Sequence, residues 1–351
     1  MSTSLTPATF DPDAAAQPGT GIFGLPFERK DAGIVLVPVP FDATTSYGNG
    51  TAKGPEAIRV ASMQVDLHDH QFGPVYKRGI FTEPHADDIA ALSVETRAMA
   101  EPLIAKGGAD ESDTKVMEAI NDAGERVNAF TYKAVKSILN EGKTPGLVGG
   151  DHSTPFGSIK ACAEHAMSLA KTGLGILHID AHMDLRVAFE GFKWSHASIM
   201  YNVMEQIPQV KSLVQVGIRD YGKGELEYAQ AHHDRIHTFF DLDWERKMED
   251  GEVYSKLIRH AIGVLPEHVY VSFDIDGLDP SMCPHTGTPV PGGLSFHRAC
   301  MLLECLVKAR HKIVGFDLVE VAPGPNAGEP DWDANVGARM LYKLCGIAAA
   351  K

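Results

Sequence analysis

The chain has 351 residues, is 44% hydrophobic and carries a formal net charge of −14. That length supplies a large core, and so acidic a surface is a poor partner for nucleic-acid phosphates or anionic lipid heads, so neither nucleic acid nor membrane is expected as a partner. No apolar run approaches the ~20 residues that cross a bilayer, and the first residues lack the basic start and apolar stretch of a secretory signal.

Residues 1–30 are rich in Ala, Pro, Gly, Thr and Asp without periodicity. They read as an N-terminal arm, ordered where it packs on another surface such as a neighbouring subunit. Residues 33–41, GIVLVPVPF, predict a buried strand that Pro38 and Pro40 place near a sheet edge. A Gly-rich loop follows, and Pro55 and Glu56 mark a helix start. The steps of three and four among Val116, Ile120, Ala123, Val127, Phe130, Ala134 and Ile138 predict an amphipathic helix over 115–142. Further strands are predicted at 145–150, 174–180, 212–218, 268–276 and 312–321, with helices over 155–171, 245–262 and 296–310. Apolar strands alternating with helices predict a parallel sheet covered on both faces. Length alone suggests about two domains. The absence of an internal linker favours one three-layer α/β/α domain over 31–351. The five cysteines, an odd number with no CxxC pair, read as reduced thiols of a cytoplasmic protein.

Ligands of open parallel sheets gather beyond the carboxyl ends of the strands. The strand at 145–150 leads to Asp151 and His152, and that at 174–180 to Asp180, His182 and Asp184. The strand at 268–276 ends in Asp274 and Asp276, and that at 312–321 in Asp317 and Glu320. Spacing by two aims alternate side chains the same way in extended chain. So many acids on one rim repel one another unless cations lie among them. His152, Asp180, His182, Asp184, Asp274 and Asp276 offer two nitrogens and four carboxylates. That set suits two divalent ions of the Mn, Co, Ni or Fe type better than a thiolate zinc site. A pair of such ions lowers the pKa of a shared water. With Glu320 nearby, the site would welcome a positive electrophile.

GGDHS (149–153), DAHMD (180–184) and SFDIDGLDP (272–280) together resemble the three motifs of the ureohydrolases, the arginase and agmatinase family. VPVPFD (37–42), GPEAIR (54–59), GTPVPGGLS (287–295), DLVEVAP (317–323) and GARMLYKL (337–344) extend the resemblance over about 30–350. It implies a three-layer fold with about eight mostly parallel strands. It implies two divalent metal ions per chain, manganese or in some branches nickel, and a homo-oligomer of three or six subunits. Carried over by motif, His152, Asp180 and Asp184 hold one ion. His182, Asp184 and Asp276 hold the other, and Asp274 bridges. Glu320 resembles the acid that pairs with the guanidinium, His196 the general acid or proton shuttle, and Asp184 the proton relay for attack of a bridging hydroxide on the guanidinium carbon. Urea or a urea derivative then leaves, with ammonia or an amine.

The loop GFKWSHASIM (191–200) departs from the family pattern. It lacks the Asn with which arginases grip the α-carboxylate, and it has His196-Ala197 where agmatinases have His-Gly. With DPSMCPHTGTPVPGG (279–293) it looks most like the branch of guanidine hydrolases, with metformin hydrolases close by. The expected substrate is a small guanidine compound without a carboxylate tail; Trp194 reads either as a packing or interface residue or as a ring stacking on the flat cation. Agmatinase or guanidinobutyrase activity is the alternative. A stabilising subunit beside an active paralogue is a second, although all six ligands are present. A deacetylase-type hydrolase is a third, and the two complete acid clusters weigh against it. Cys283 and His285 read as structural.

Overall fold

A computed structural model describes residues 9–17, 19–326 and 330–350; the expected arm at 1–8 and 18 lies outside the described residues. In chain order the elements are β1 (Ile34–Val39), α1 (Gly54–Ala61), β2 (Ile80–Thr82), α2 (Asp87–Ala105), α3 (Thr114–Asn140), β3 (Thr144–Gly149), α4 (Phe156–Leu169), β4 (Leu174–Ile179), α5 (Ile199–Gln206), β5 (Val210–Ile218), α6 (Lys223–Ala231), β6 (Ile236–Phe240), α7 (Asp241–Glu249), α8 (Tyr254–Ile262), β7 (His268–Asp274), α9 (Phe296–Lys308), β8 (Lys312–Val319) and α10 (Trp332–Ala349). The strands form one eight-stranded sheet, ordered β2-β1-β3-β8-β7-β4-β5-β6. Every pairing within it is parallel.

The inner strands are apolar on both sides because helices cover both sides. In β7, Val269, Val271 and Phe273 join one core while Tyr270 points into the other. The first core lies under α8, α9 and α10, the second under α4 and α5. Each large apolar side chain so buried stabilises the fold by about 1.5–3 kcal/mol.

The six strands expected from sequence are all present, and the two not foreseen are the two edges. β2 has three residues and β6 is largely half-buried, so neither carries a continuous apolar signature. β1 lies second from the edge. Its Gly33 and Val39 carbonyls accept bonds from the β3 side, and its Leu36 carbonyl from beyond β2. The pleat therefore turns Pro38 to the side where β2 has already stopped, and its missing N–H costs no ladder bond.

Two details differ from expectation. The helix foreseen over 245–262 is two helices, because Gly251 adopts φ +92° and ends the first. The core face of α3 runs through Ile120, Ala123, Val127, Thr131, Val135 and Ile138, whereas Val116 is exposed. In the arm, Ile22, Phe23 and Leu25 are buried in the main core of this same chain. The surface that part of the arm packs on is its own domain.

Candidate metal centre

Four adjacent central strands, β3, β8, β7 and β4, deliver the candidate residues to one rim. Close backbone approach makes this possible. A Cβ on Gly150 would lie 1.9 Å from the Phe41 carbonyl oxygen, so only glycine lets the loop after β3 sit against the end of β1. A Cβ on Gly277 would lie 2.8 Å from the Asp180 backbone nitrogen, where the exit of β7 meets that of β4. The Asp276 carboxylate then accepts the Ala181 N–H at 3.0 Å and fastens the two exits together.

The expected ligands form two adjoining groups. In the first, His152 Nδ1 lies 3.0 Å from Asp180 Oδ2, 3.1 Å from Asp184 Oδ2 and 3.2 Å from Asp274 Oδ2. In the second, His182 Nδ1 lies 3.2 Å from Asp276 Oδ2 and 3.4 Å from Asp180 Oδ1. This corrects the partition carried over by motif. Asp180, not Asp184, turns one oxygen to each imidazole, and Asp184 belongs with His152. The cause is local backbone. β4 ends at Ile179, so strict alternation stops before Asp180. Asp184 has φ +55°, which swings its carboxylate back towards His152. Glu320 has φ +62°. Left-handed backbone at a non-glycine residue costs of order 1–3 kcal/mol and persists where surrounding structure enforces it.

The donor set fits divalent cations. His152 is fully buried, yet its Nδ1 makes no well-formed hydrogen bond among three carboxylate oxygens. Its Nε2 lies 3.0 Å from Ser272 Oγ, which in turn donates to Asp317 Oδ1 at 3.1 Å. The ring proton is thereby placed on Nε2, and the Nδ1 lone pair faces the acids. Electrostatics give the same answer. Burial pushes Asp184 up to about 7, helped by the charge of Asp180. Burial and then the neighbouring Asp276 and Asp180 push Asp274 well above the carboxylate range. Burial, then Asp274 and Asp151, does the same to Glu320. Burial opposes the charges of His152 and His182, but the aspartates round each overcome it and hold both well above the usual imidazole value. Bare, the cluster relieves its repulsion only by taking up protons; two dications remove that conflict.

Glu320 Oε1 accepts the backbone N–H of His152 at 2.8 Å, and its buried Oε2 has no hydrogen-bond partner. His196 opens a short helical turn whose start is capped by Ser195. The Arg186 N–H bonds the Ala197 carbonyl, and the Met200 and Tyr201 N–H groups bond the Asp184 carbonyl, so the loop folds back over the cluster. Burial, then the charges of His182 and His152, drives His196 down to about 3 and keeps it neutral.

Trp194 is not brought to the site. Its ring packs edge-on against Phe156 at 4.8 Å, and a Cβ on Gly124 would lie 2.6 Å from the Trp194 Cβ. Its indole N–H donates to Glu125 Oε1 at 3.2 Å. Trp194 is 5% exposed and fills the gap between α3 and α4, so of its two readings the packing one fits and stacking on substrate is withdrawn. Cys283 is buried with its thiol on the Ile275 carbonyl, and His285 Nδ1 is held 2.9 Å from Asp333 Oδ2. His178 was missed by sequence reasoning: its Nε2 lies 2.8 Å from Asp180 Oδ2. The available signal was a lone polar residue inside an otherwise apolar strand, which must find a partner when buried.

A model of the arginase family matches residues 32–346. The chain is 30% identical over 320 residues to an N(1)-aminopropylagmatine ureohydrolase of Synechocystis, covering 90% of this chain and 89% of the relative. It is 29% identical to an agmatinase of Pyrococcus horikoshii, covering 91% and 93%. The structure of an arginase from Medicago truncatula superposes with a TM-score of 0.65 at 26% identity, covering 91% of this chain and 87% of the other.

Proposed function

The chain belongs to the arginase family, whose members hydrolyse C–N bonds of amidines at a binuclear divalent-metal centre, and we propose that its substrate is a small guanidine compound without a carboxylate tail: guanidine itself, or an N-substituted guanidine or biguanide such as metformin. The observation that carries this reading is the state of the cations around loop 191–200. Lys193 is turned outward, 3.4 Å from Glu125 Oε1 and over the Trp194 ring. Arg186 pairs with Glu225 at 3.4 Å and stacks on Phe189. His196 is neutral. None of these three presents a spare positive charge to an α-carboxylate, while Glu320 presents a bare oxygen to a cation.

When bound, a pair of divalent ions supplies a water of lowered pKa and positive charge opposite the developing oxyanion. His152, Asp180, Asp184 and Asp274 would hold one ion, and His182, Asp180 and Asp276 the other, with manganese or nickel as the metal. Glu320 Oε2 accepts an N–H of the substrate and orients the planar cation, while the His152 N–H fixes the other carboxylate oxygen. Asp184 takes the proton of the attacking water. His196, neutral with one N–H and one lone pair, passes a proton to the departing nitrogen from one ring nitrogen as the other takes up the proton that Asp184 drew from the attacking water. For guanidine, the balance is one water consumed and one urea and one ammonia released.

An agmatinase relative supports a second reading, agmatine as substrate, beside which guanidinobutyrate is the further alternative. Ammonia and urea release from guanidine, dimethylguanidine, metformin, agmatine, guanidinobutyrate and arginine, with protein loaded separately with Mn and Ni, separates the two. The highest kcat/KM is expected on a tail-less guanidine, and arginine as the best substrate would overturn the reading. We further propose a homo-oligomer of three or six chains, with a heteromer with a paralogue as the alternative. Exposed Tyr47, Val60 and Val94, which line a groove beside Gly287, support it, and analytical ultracentrifugation tests it. Among the described residues no helix is long and apolar enough to cross a membrane. All five cysteines are free, which supports a reducing, cytoplasmic location.

A further inference from the structure

We infer that a buried relay, Thr238–Gln215–His178, is a positioning device that fixes how Asp180 is shared between the two metal sites. The inference rests on the binuclear reading above. Its parts lie on three neighbouring strands: Thr238 on β6, Gln215 on β5 and His178 on β4. His178, Gln215 and Asp180 are all fully buried.

The hydrogen-bond directions are settled by elimination. Gln215 Nε2 lies 2.7 Å from the Met183 carbonyl, which can only accept, so that end of the amide is the nitrogen. The Gln215 oxygen correspondingly accepts from Thr238 Oγ1 at 2.9 Å. The same Nε2 lies 3.1 Å from His178 Nδ1. An amide nitrogen only donates, so Nδ1 is the bare nitrogen of the ring. The ring proton is therefore on Nε2 and is donated to Asp180 Oδ2 at 2.8 Å.

Two consequences follow. His178 borders the first metal group but is not one of its ligands, because its near nitrogen is protonated and its far nitrogen is engaged. Asp180 has one lone pair on each oxygen already taken, Oδ2 by His178 and Oδ1 by the His182 backbone N–H at 2.5 Å. Each oxygen keeps one lone pair, one facing the His152 group and one facing the His182 group. The relay thus prevents Asp180 from placing both oxygens on one ion. Partners of this kind behind a ligand typically change metal affinity by 10–100-fold.

The test compares metal dissociation constants, by competition with a chromophoric chelator, for the full-length wild type, His178→Phe, His178→Gln and Gln215→Leu. His178→Phe is expected to weaken binding by ~10–100-fold. His178→Gln, which returns a donor near the old Nε2, should recover most of that loss. Gln215→Leu frees the tautomer and should fall between them. Neutron diffraction of the metal-loaded wild type should show the hydrogen on His178 Nε2 and none on Nδ1, whichever variants fold. Wild-type affinity in folded His178→Phe, or a hydrogen on Nδ1, overturns the inference while leaving the binuclear reading intact. A wild type that binds fewer than two ions sinks the binuclear reading itself, and the inference with it.

Discussion

Glu320, at the end of β8, accepts the backbone N–H of His152, at the end of β3, at 2.8 Å. The contact ties the residue proposed to grip the substrate to the backbone of a residue proposed to hold metal. Glu320→Gln keeps the shape and removes the charge. Losing one partner of a buried charge pair costs about 2–5 kcal/mol, so kcat/KM should fall by ~10²-fold or more. Metal content, measured by plasma emission, should not change. Loss of metal in that variant would show Glu320 to be a ligand instead.

The Trp194 ring is interior packing between α3 and α4. Trp194→Ala should lower unfolding free energy by ~3–5 kcal/mol in denaturant titration. Trp194→Phe should leave KM for the best substrate unchanged. A raised KM with stability intact would return Trp194 to the substrate pocket.

Asp69 shows how far pH acts away from the centre. Its carboxylate lies 2.6 Å from Lys343 Nζ and accepts the Gln71 and Phe72 N–H groups at 2.8 and 2.9 Å. Burial works against its charge, but Lys343 and the two N–H groups prevail and hold its pKa below the ordinary value. A carboxylate depressed in the folded state stabilises above its unfolded pKa, near 3.9, and loses that contribution as pH falls through the folded value. Asp69→Asn should therefore cost about 1–3 kcal/mol at pH 7. The gap to wild type should shrink below about pH 4. A gap constant from pH 7 to pH 3 would contradict this.

The chemistry of the rim was legible because its acids stand directly after apolar runs, as at Asp180 and Asp274. The central strands were legible because both their faces are buried. β2 and β6 were not, since an edge strand half in solvent needs no apolar pattern. The division of ligands was not legible either. It depends on the left-handed turn at Asp184 and on two oxygens of one side chain, which residue spacing does not encode. A packing role for Trp194 was legible, but not its partner, a glycine 70 positions earlier in the chain, Gly124. The polar residues within strands, His178, Gln215, Ser272 and Asp317, all support the site from behind. Each interrupts an apolar run, and that interruption is the sign they leave in the sequence.

Counting ions in active protein tests the centre most directly. Plasma emission on enzyme reconstituted in Mn or Ni and freed of loose metal should give two per chain in the wild type. His182→Ala, which removes the imidazole that stands beside Asp276 in the second group, should give one. Active wild type without bound metal, or His182→Ala that keeps both ions, would contradict the account.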